Sequence, residues 1–148
     1  MHLSLHTDYA LRTLLFVATR TGRVTVAEVA EFYGISAHHV GKVVHQLGRL
    51  GYIRNHRGPG GGIELARAPA EITLGKVVLD FEGSVQLLDC VSTPGVCVIQ
   101  PGCALRGVLA EAERRLVGYL QRVTLESLLP NPLDLVTFTN GPSLQGSR

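Results

Sequence analysis

The segment from Thr25 to Leu50 leaves few folds open to this chain. Thr25-Val26-Ala27-Glu28 is a capping box, in which Thr25 accepts from the third amide while Glu28 reaches back to the first. The helix it starts is short, because Gly34 is a natural left-handed stop. Ser36 then caps another helix, with Val40, Val43, Val44, Leu47 and Leu50 at helical spacing. Its other face carries His38, His39, Lys42, His45, Gln46 and Arg49. Two short helices joined through Gly34-Ile35-Ser36 predict a helix-turn-helix with residues 36–50 as its recognition helix. Ser36, His38, His39 and Lys42 occupy the first exposed turns, the part that reaches base edges in such a motif.

The residues after Leu50 narrow the motif. Tyr52-Ile53-Arg54 and Ile63-Glu64-Leu65 are strand-like and flank Asn55-His56-Arg57-Gly58-Pro59-Gly60-Gly61-Gly62. A hairpin with a basic, glycine-rich tip behind a recognition helix is a wing. Its glycines let the backbone approach DNA, and Arg57 is placed to enter a minor groove or bind phosphate. The rival, a nucleotide-cradling loop, is disfavoured: the Gly-Lys-Ser/Thr ending is missing and no helix pattern opens after it.

Around this module the chain predicts more helix. Thr7 to about Thr19 is a first helix, with Leu11, Leu14, Leu15 and Ala18 on one face and Thr7 as its cap. Thr73 caps another, to about Glu82. A long one runs from after Cys103 to about Val123, with Leu105, Val108, Leu109, Ala112, Leu116, Leu120 and Val123 in one stripe. Such a stripe beyond a compact module favours pairing with its twin in a homodimer over folding back on its own chain. Residues 124–129 read as a last short helix ended by Pro130 and Pro132. The fold class is therefore mostly α with a small β wing, a winged helix-turn-helix plus a long dimerisation helix. Its divisions are 1–67 for DNA binding, 68–129 for the cysteine segment and dimerisation, and 130–148 as a flexible tail.

The chain has three cysteines, all within Cys90-x6-Cys97-x5-Cys103. Two Pro/Gly breaks between them read as a loop that wraps back on itself. Three thiolates suit a soft, thiophilic metal and leave one position for a ligand from elsewhere. An odd count argues against a closed disulfide framework. The amino terminus has no basic region or cleavage site, and no apolar run approaches the roughly 18 residues of a membrane span. A reducing cytoplasm, where clustered cysteines more often bind metal than cross-link, is the expected compartment. Charge is uneven: residues 1–67 hold eight Lys/Arg, four acids and all six histidines, whereas 68–148 hold six Lys/Arg and eight acids. A basic half beside an acidic one fits a polyanion-binding module joined to something that is not one.

Three segments together carry a resemblance: Thr7-Asp8-Tyr9-Ala10-Leu11-Arg12, Arg57-Gly58-x-x-Gly61-Gly62-x-x-Leu65, and the cysteine triad ahead of a long helix. From about Leu3 to Leu129 the chain resembles the Rrf-two family of winged-helix iron–sulfur regulators, closest to its nitric-oxide-sensing repressor branch. The resemblance implies a homodimer on a near-palindromic operator and a cluster held by Cys90, Cys97 and Cys103. Whether that cluster is 4Fe–4S or 2Fe–2S stays open. It also implies that nitric oxide attacks the cluster and releases the protein from DNA, and that Asp8 supplies the further ligand. The cluster-biosynthesis branch takes that ligand from a histidine three residues after the last cysteine; here the residue is Arg106, which stays protonated and cannot ligate. The cysteine-metabolism branch lacks the triad. A redox-sensing branch uses a glutamate and a histidine where this chain has Asp8 and Arg12.

Other readings stand beside this one. A regulator sensing redox or cluster status is one. A structural zinc site completed by Asp8 or a histidine is another, although zinc favours tighter cysteine pairs. Three unliganded thiols are a third. His38, His39, His45 and His56 show no metal-ligand spacing with a third partner and read as DNA-facing polar groups. An enzyme is not expected: near the triad the ionisable groups are Glu82 and Asp89, with no histidine for acid–base work.

Overall fold

The structure, a computed structural model, describes residues 2–129. The tail expected from residue 130 onward lies outside the described residues. Helix α1 spans Leu5–Ala18, and its cap is Ser4, not Thr7: the Ser4 hydroxyl accepts from the Thr7 amide at 3.2 Å. Thr7 is fully buried because it shares the inward face with Ala10, Leu14 and Val17, one helical turn after another. Its hydroxyl, kept from water, donates to Glu82.

Helix α2 (Val26–Tyr33) starts at the capping box, with Thr25 N–H donating to Glu28 at 2.6 Å and Glu28 N–H to the Thr25 hydroxyl at 3.2 Å. It ends at Gly34 with φ 63°, where Ile35 N–H returns to the Ala30 carbonyl at 2.9 Å. Helix α3 (Ala37–Arg49) buries Val40, Val43, Val44 and Leu47 against α1 and α2. Ser36 stands at its N-cap, but the hydroxyl makes no capping bond.

The wing is strand β1 (Ile53–His56) antiparallel to β2 (Gly62–Leu65), in the register Ile53 opposite Leu65. Val24 exchanges both backbone bonds with Ile63, at 3.0 and 2.7 Å, and so fastens the wing to the α1–α2 connection. Each strand places one isoleucine, Ile53 and Ile63, in the core beside Val24.

Helix α4 (Leu74–Glu82), capped by Thr73, packs on α1; its Val77 and the Ile72 that precedes it join the same core. Helix α5 is a single turn, Asp89–Ser92, and α6 (Ala104–Arg122) packs along α4 and α5. Beyond α6 the chain returns to the start of α4, through Leu74 N–H to Val123 at 2.9 Å and Leu125 N–H to Ile72 at 2.7 Å. The helix expected over 124–129 is therefore a bridge followed by a 3₁₀ turn, Glu126–Leu128, because pairing with Ile72–Leu74 claims its backbone first. Helices thus dominate, with one two-stranded sheet among the described residues.

Candidate nucleic-acid interface and metal centre

The exposed face of α3 lines an open groove of about 830 Å³ with His38, Lys42, His45, Gln46 and Arg49. His6 of α1 closes one side, and no carboxylate lines it. Of the four positions expected to read bases, His38 and Lys42 stand in this groove. His39 is exposed but turns toward α1, its ring 6.3 Å from that of Tyr9. Ser36 is exposed and its hydroxyl is uncommitted to the helix. His6 was not legible as a member of this face, since its place depends on how α1 crosses α3.

On the wing, Arg57 is exposed at the tip and makes no ion pair among the described residues. His56, expected as a DNA-facing polar group, is partly exposed and paired across the hairpin. Its Nε2 meets Glu64 at 2.8 Å, and Arg23 approaches the other Glu64 oxygen at 3.7 Å. The bond from His56 holds the Glu64 carboxyl below its ordinary range, so the one acid of the wing stays ionised beside its own cations. Arg23 also donates to the Gly60 carbonyl at 3.2 Å, bracing the tip that presents Arg57.

The three cysteines are free thiols on three different pieces of backbone. Cys90 lies in α5 and is partly buried. Cys97 is exposed, and Cys103 occupies the N-cap position of α6. The expected loop thus carries a helical turn and a 3₁₀ turn, Gln100–Gly102, each cut short by its Pro-Gly pair. Helix α6 grips it at two points. Arg106 donates to the Val91 carbonyl at 3.3 and 3.1 Å, and Glu113 accepts from Leu87 N–H at 2.6 Å.

Three thiols with no disulfide fit a thiophilic centre by their chemistry. They are not yet gathered: among the described residues no three His, Cys, Asp or Glu side chains stand where they could hold a metal ion. Asp8 sits in the first turn of α1, paired with Arg12 at 2.8 Å. Ligation by this set requires the segment to close and a carboxylate to arrive from α1.

Helix α4, which leads into the cysteine segment, is tied to the rest by two carboxylates of its last turn. Glu82 accepts from Ser4 N–H at 2.8 Å and from the Thr7 hydroxyl; the Thr7 bond keeps its carboxyl ionised below the ordinary range. Asp80 accepts from the Tyr52 hydroxyl and from Lys76, each at 2.6 Å. Burial, then the bond to Asp80, pushes the Tyr52 phenol well above its ordinary pKa, so it remains a donor at any physiological pH. Tyr52 opens the wing and Ser4 opens α1, so α4 holds both.

Comparison with known proteins agrees with this architecture. Residues 3–131 match the Rrf2 family, described as iron-dependent transcriptional regulators. The HTH-type transcriptional regulator NsrR of Geobacillus kaustophilus is 41% identical over 138 residues, covering 91% of this chain and 94% of that protein. NsrR of Bacillus subtilis is 40% identical over 139 residues, covering 92% and 95%. Among solved structures, CymR (YrzC), the global cysteine regulator of B. subtilis, superposes with TM-score 0.73 at 22% identity, covering 86% of this chain and 95% of that one. T. potens IscR gives 0.69 at 22%, covering 86% and 85%. These two likenesses concern the fold, a winged helix. The named relatives are transcriptional regulators and not enzymes, as the sparse chemistry around the triad leads one to expect. With the match spanning the whole described module, the wing and the cysteine segment alike, the chain belongs to the Rrf2 family of transcriptional regulators, close to NsrR.

Proposed function

We propose that this regulator is a cytoplasmic, nitric-oxide-responsive repressor that binds operator DNA as a homodimer and lets go when its iron–sulfur cluster is nitrosylated. The observation that carries this is a segment with three free thiols joined, through one helix, to both the first helix and the wing of a winged-helix module. Cys90, Cys97 and Cys103 would hold the cluster, with Asp8 as a carboxylate ligand. Such a cluster supplies iron that binds nitric oxide at the expense of its thiolate and sulfide ligands. This chain contributes the rest. Closing the cysteine segment draws on α4 and α6, and α4 carries the strain to Ser4 and Tyr52. Two recognition helices in a dimer must match about one turn of DNA, so a small displacement is enough to spoil binding.

Pairing is supported by α6. None of its residues is buried in the single chain, and Leu105, Val108 and Tyr119 are open to solvent. A second copy would cover that stripe. No helix among the described residues is long and apolar enough to cross a membrane.

The proposal is tested by purifying the protein anaerobically and assaying iron and acid-labile sulfide. A brown protein with both is expected, and a colourless protein holding zinc overturns the cluster. Two variants refine it. Asp8→Ala is expected to assemble a cluster but lose it faster to a chelator, because carboxylate is the hardest donor of the set. Wild-type stability and switching in that variant would leave Asp8 as an ordinary first-turn acid paired with Arg12. Arg57→Ala is expected to weaken binding evenly across DNA sequences and to reduce the salt slope by about one. An unchanged salt titration would place the wing off the DNA.

A further inference from the structure

We infer that Gln100 is the positioning residue of the cysteine segment, the single residue to which the backbones of all three cysteines are fastened. Between Val78 and Leu125 it is the one buried residue, 7% exposed, although the stretch is rich in apolar side chains. Val98, at 98% exposure, and Ile99 point outward while this amide points in. Its Nε2 donates to the Cys90 carbonyl at 2.6 Å and to the Thr93 carbonyl at 2.7 Å, and its Oε1 accepts from Gly95 N–H at 2.7 Å. The backbone of the same residue finishes the set: its N–H donates to the Cys97 carbonyl at 3.2 Å, and its carbonyl accepts from Cys103 N–H at 3.4 Å.

The physical reason lies in the composition of the segment. Pro94-Gly95 and Pro101-Gly102 prevent any long helix or strand from forming over it, so its carbonyls have little secondary structure to satisfy them. A primary amide has two donor hydrogens and an acceptor, and these three groups meet the three backbone atoms facing it. Leucine would fill the volume and leave two carbonyls and an amide unpaired, the costly outcome. The anchors of Cys90 and Cys103 are thereby set before any metal is present, and Cys97 rides on the exposed arc between them. A thiophilic centre then has to reorganise that arc and not the whole segment. This consequence for a bound metal rests on the iron–sulfur reading proposed for the chain.

Two variants separate shape from hydrogen bonding. Gln100→Met keeps the length and removes all three side-chain bonds. Gln100→Glu keeps the length and the acceptor for Gly95, but an ionised carboxylate has no hydrogens for Cys90 and Thr93. In metal-free protein, hydrogen exchange over residues 90–103 is expected to quicken about tenfold in both, with residues 26–50 unchanged as the folding control. In protein reconstituted with iron and sulfide, both variants are expected to release iron to a chelator about tenfold faster, a readout of ligand positioning, and to show an altered visible circular dichroism. Wild-type exchange over 90–103 in both variants would overturn the inference, as would wild-type iron release with an unchanged spectrum. Faster exchange in both variants, with a parent protein that itself takes up no iron, would uphold the clasp and overturn the cluster reading.

Discussion

Cys97→Ala is expected to leave a protein that folds as the parent does, retains little or no iron and sulfide after anaerobic purification, and no longer responds to nitric oxide. The two halves of that result have different physical origins. Cys97 is exposed and lies on an arc where Val96 and Val98 are exposed too, so truncation removes almost no packing. Substitutions of that kind usually stay within about 0.5 kcal/mol. Its one structural bond, from Gln100 N–H to the Cys97 carbonyl, is a backbone bond that alanine keeps. What is lost is one thiolate of three, from a chain that has no fourth cysteine to replace it. Metal analysis and thermal melting on the same sample check both halves. Parental iron content would remove Cys97 from the ligand set, and a collapsed melting temperature would mean that the arc is structural.

The second large effect is expected at Gly75, in the first turn of α4. The residue is buried, and a Cβ placed there would stand 2.6 Å from the Gln121 amide nitrogen and 2.9 Å from its Cα. These are backbone atoms of α6, which cannot swing aside as a side chain can. Gly75→Val therefore has to push α4 from α6, and overpacking of this sort costs about 1–3 kcal/mol or more. The same movement pulls on the Leu74–Val123 and Leu125–Ile72 bonds that close the chain behind α6. Melting temperature should fall by several degrees, and operator affinity should fall with it as the two recognition helices lose their spacing. Gly118→Ala in α6, where an added Cβ meets no atom within 4 Å, is the control. A valine variant that melts like the parent would show that α4 and α6 part without cost.

Where local chemistry decides structure, the amino-acid sequence was a sufficient guide. The capping box at Thr25, the left-handed stop at Gly34 and the valine-leucine spacing of α3 are satisfied within a turn or two, and the helix-turn-helix results from them. The same holds for the wing, whose glycine-rich tip joins two strands that each bury one isoleucine. Thr7 was misleading because a threonine at a helix start caps by default, and only the arrival of Glu82 from 75 residues away gives its hydroxyl an inward partner. The pairing of His56 was not legible for a related reason: its partner Glu64 comes from across the hairpin. The site itself was legible as a set of residue types and not as an arrangement. Nothing in the string Val98-Ile99-Gln100-Pro101 marks the glutamine as the buried member, since its partners are backbone atoms five to ten residues back. The charge asymmetry pointed at the half of the chain that carries the groove of α3, but that groove also needs His6, which α1 brings.

In the proposed mechanism the state of the cysteine segment governs the hold on DNA, and one titration reads both together. Anaerobically purified protein is bound to an operator fragment and nitric oxide is added in steps, while the visible absorption of the cluster and the bound fraction of DNA are monitored together. The two signals are expected to fall in parallel, until affinity for the operator matches affinity for unrelated DNA at the same salt. Undiminished operator binding after the cluster absorption has gone would contradict the account.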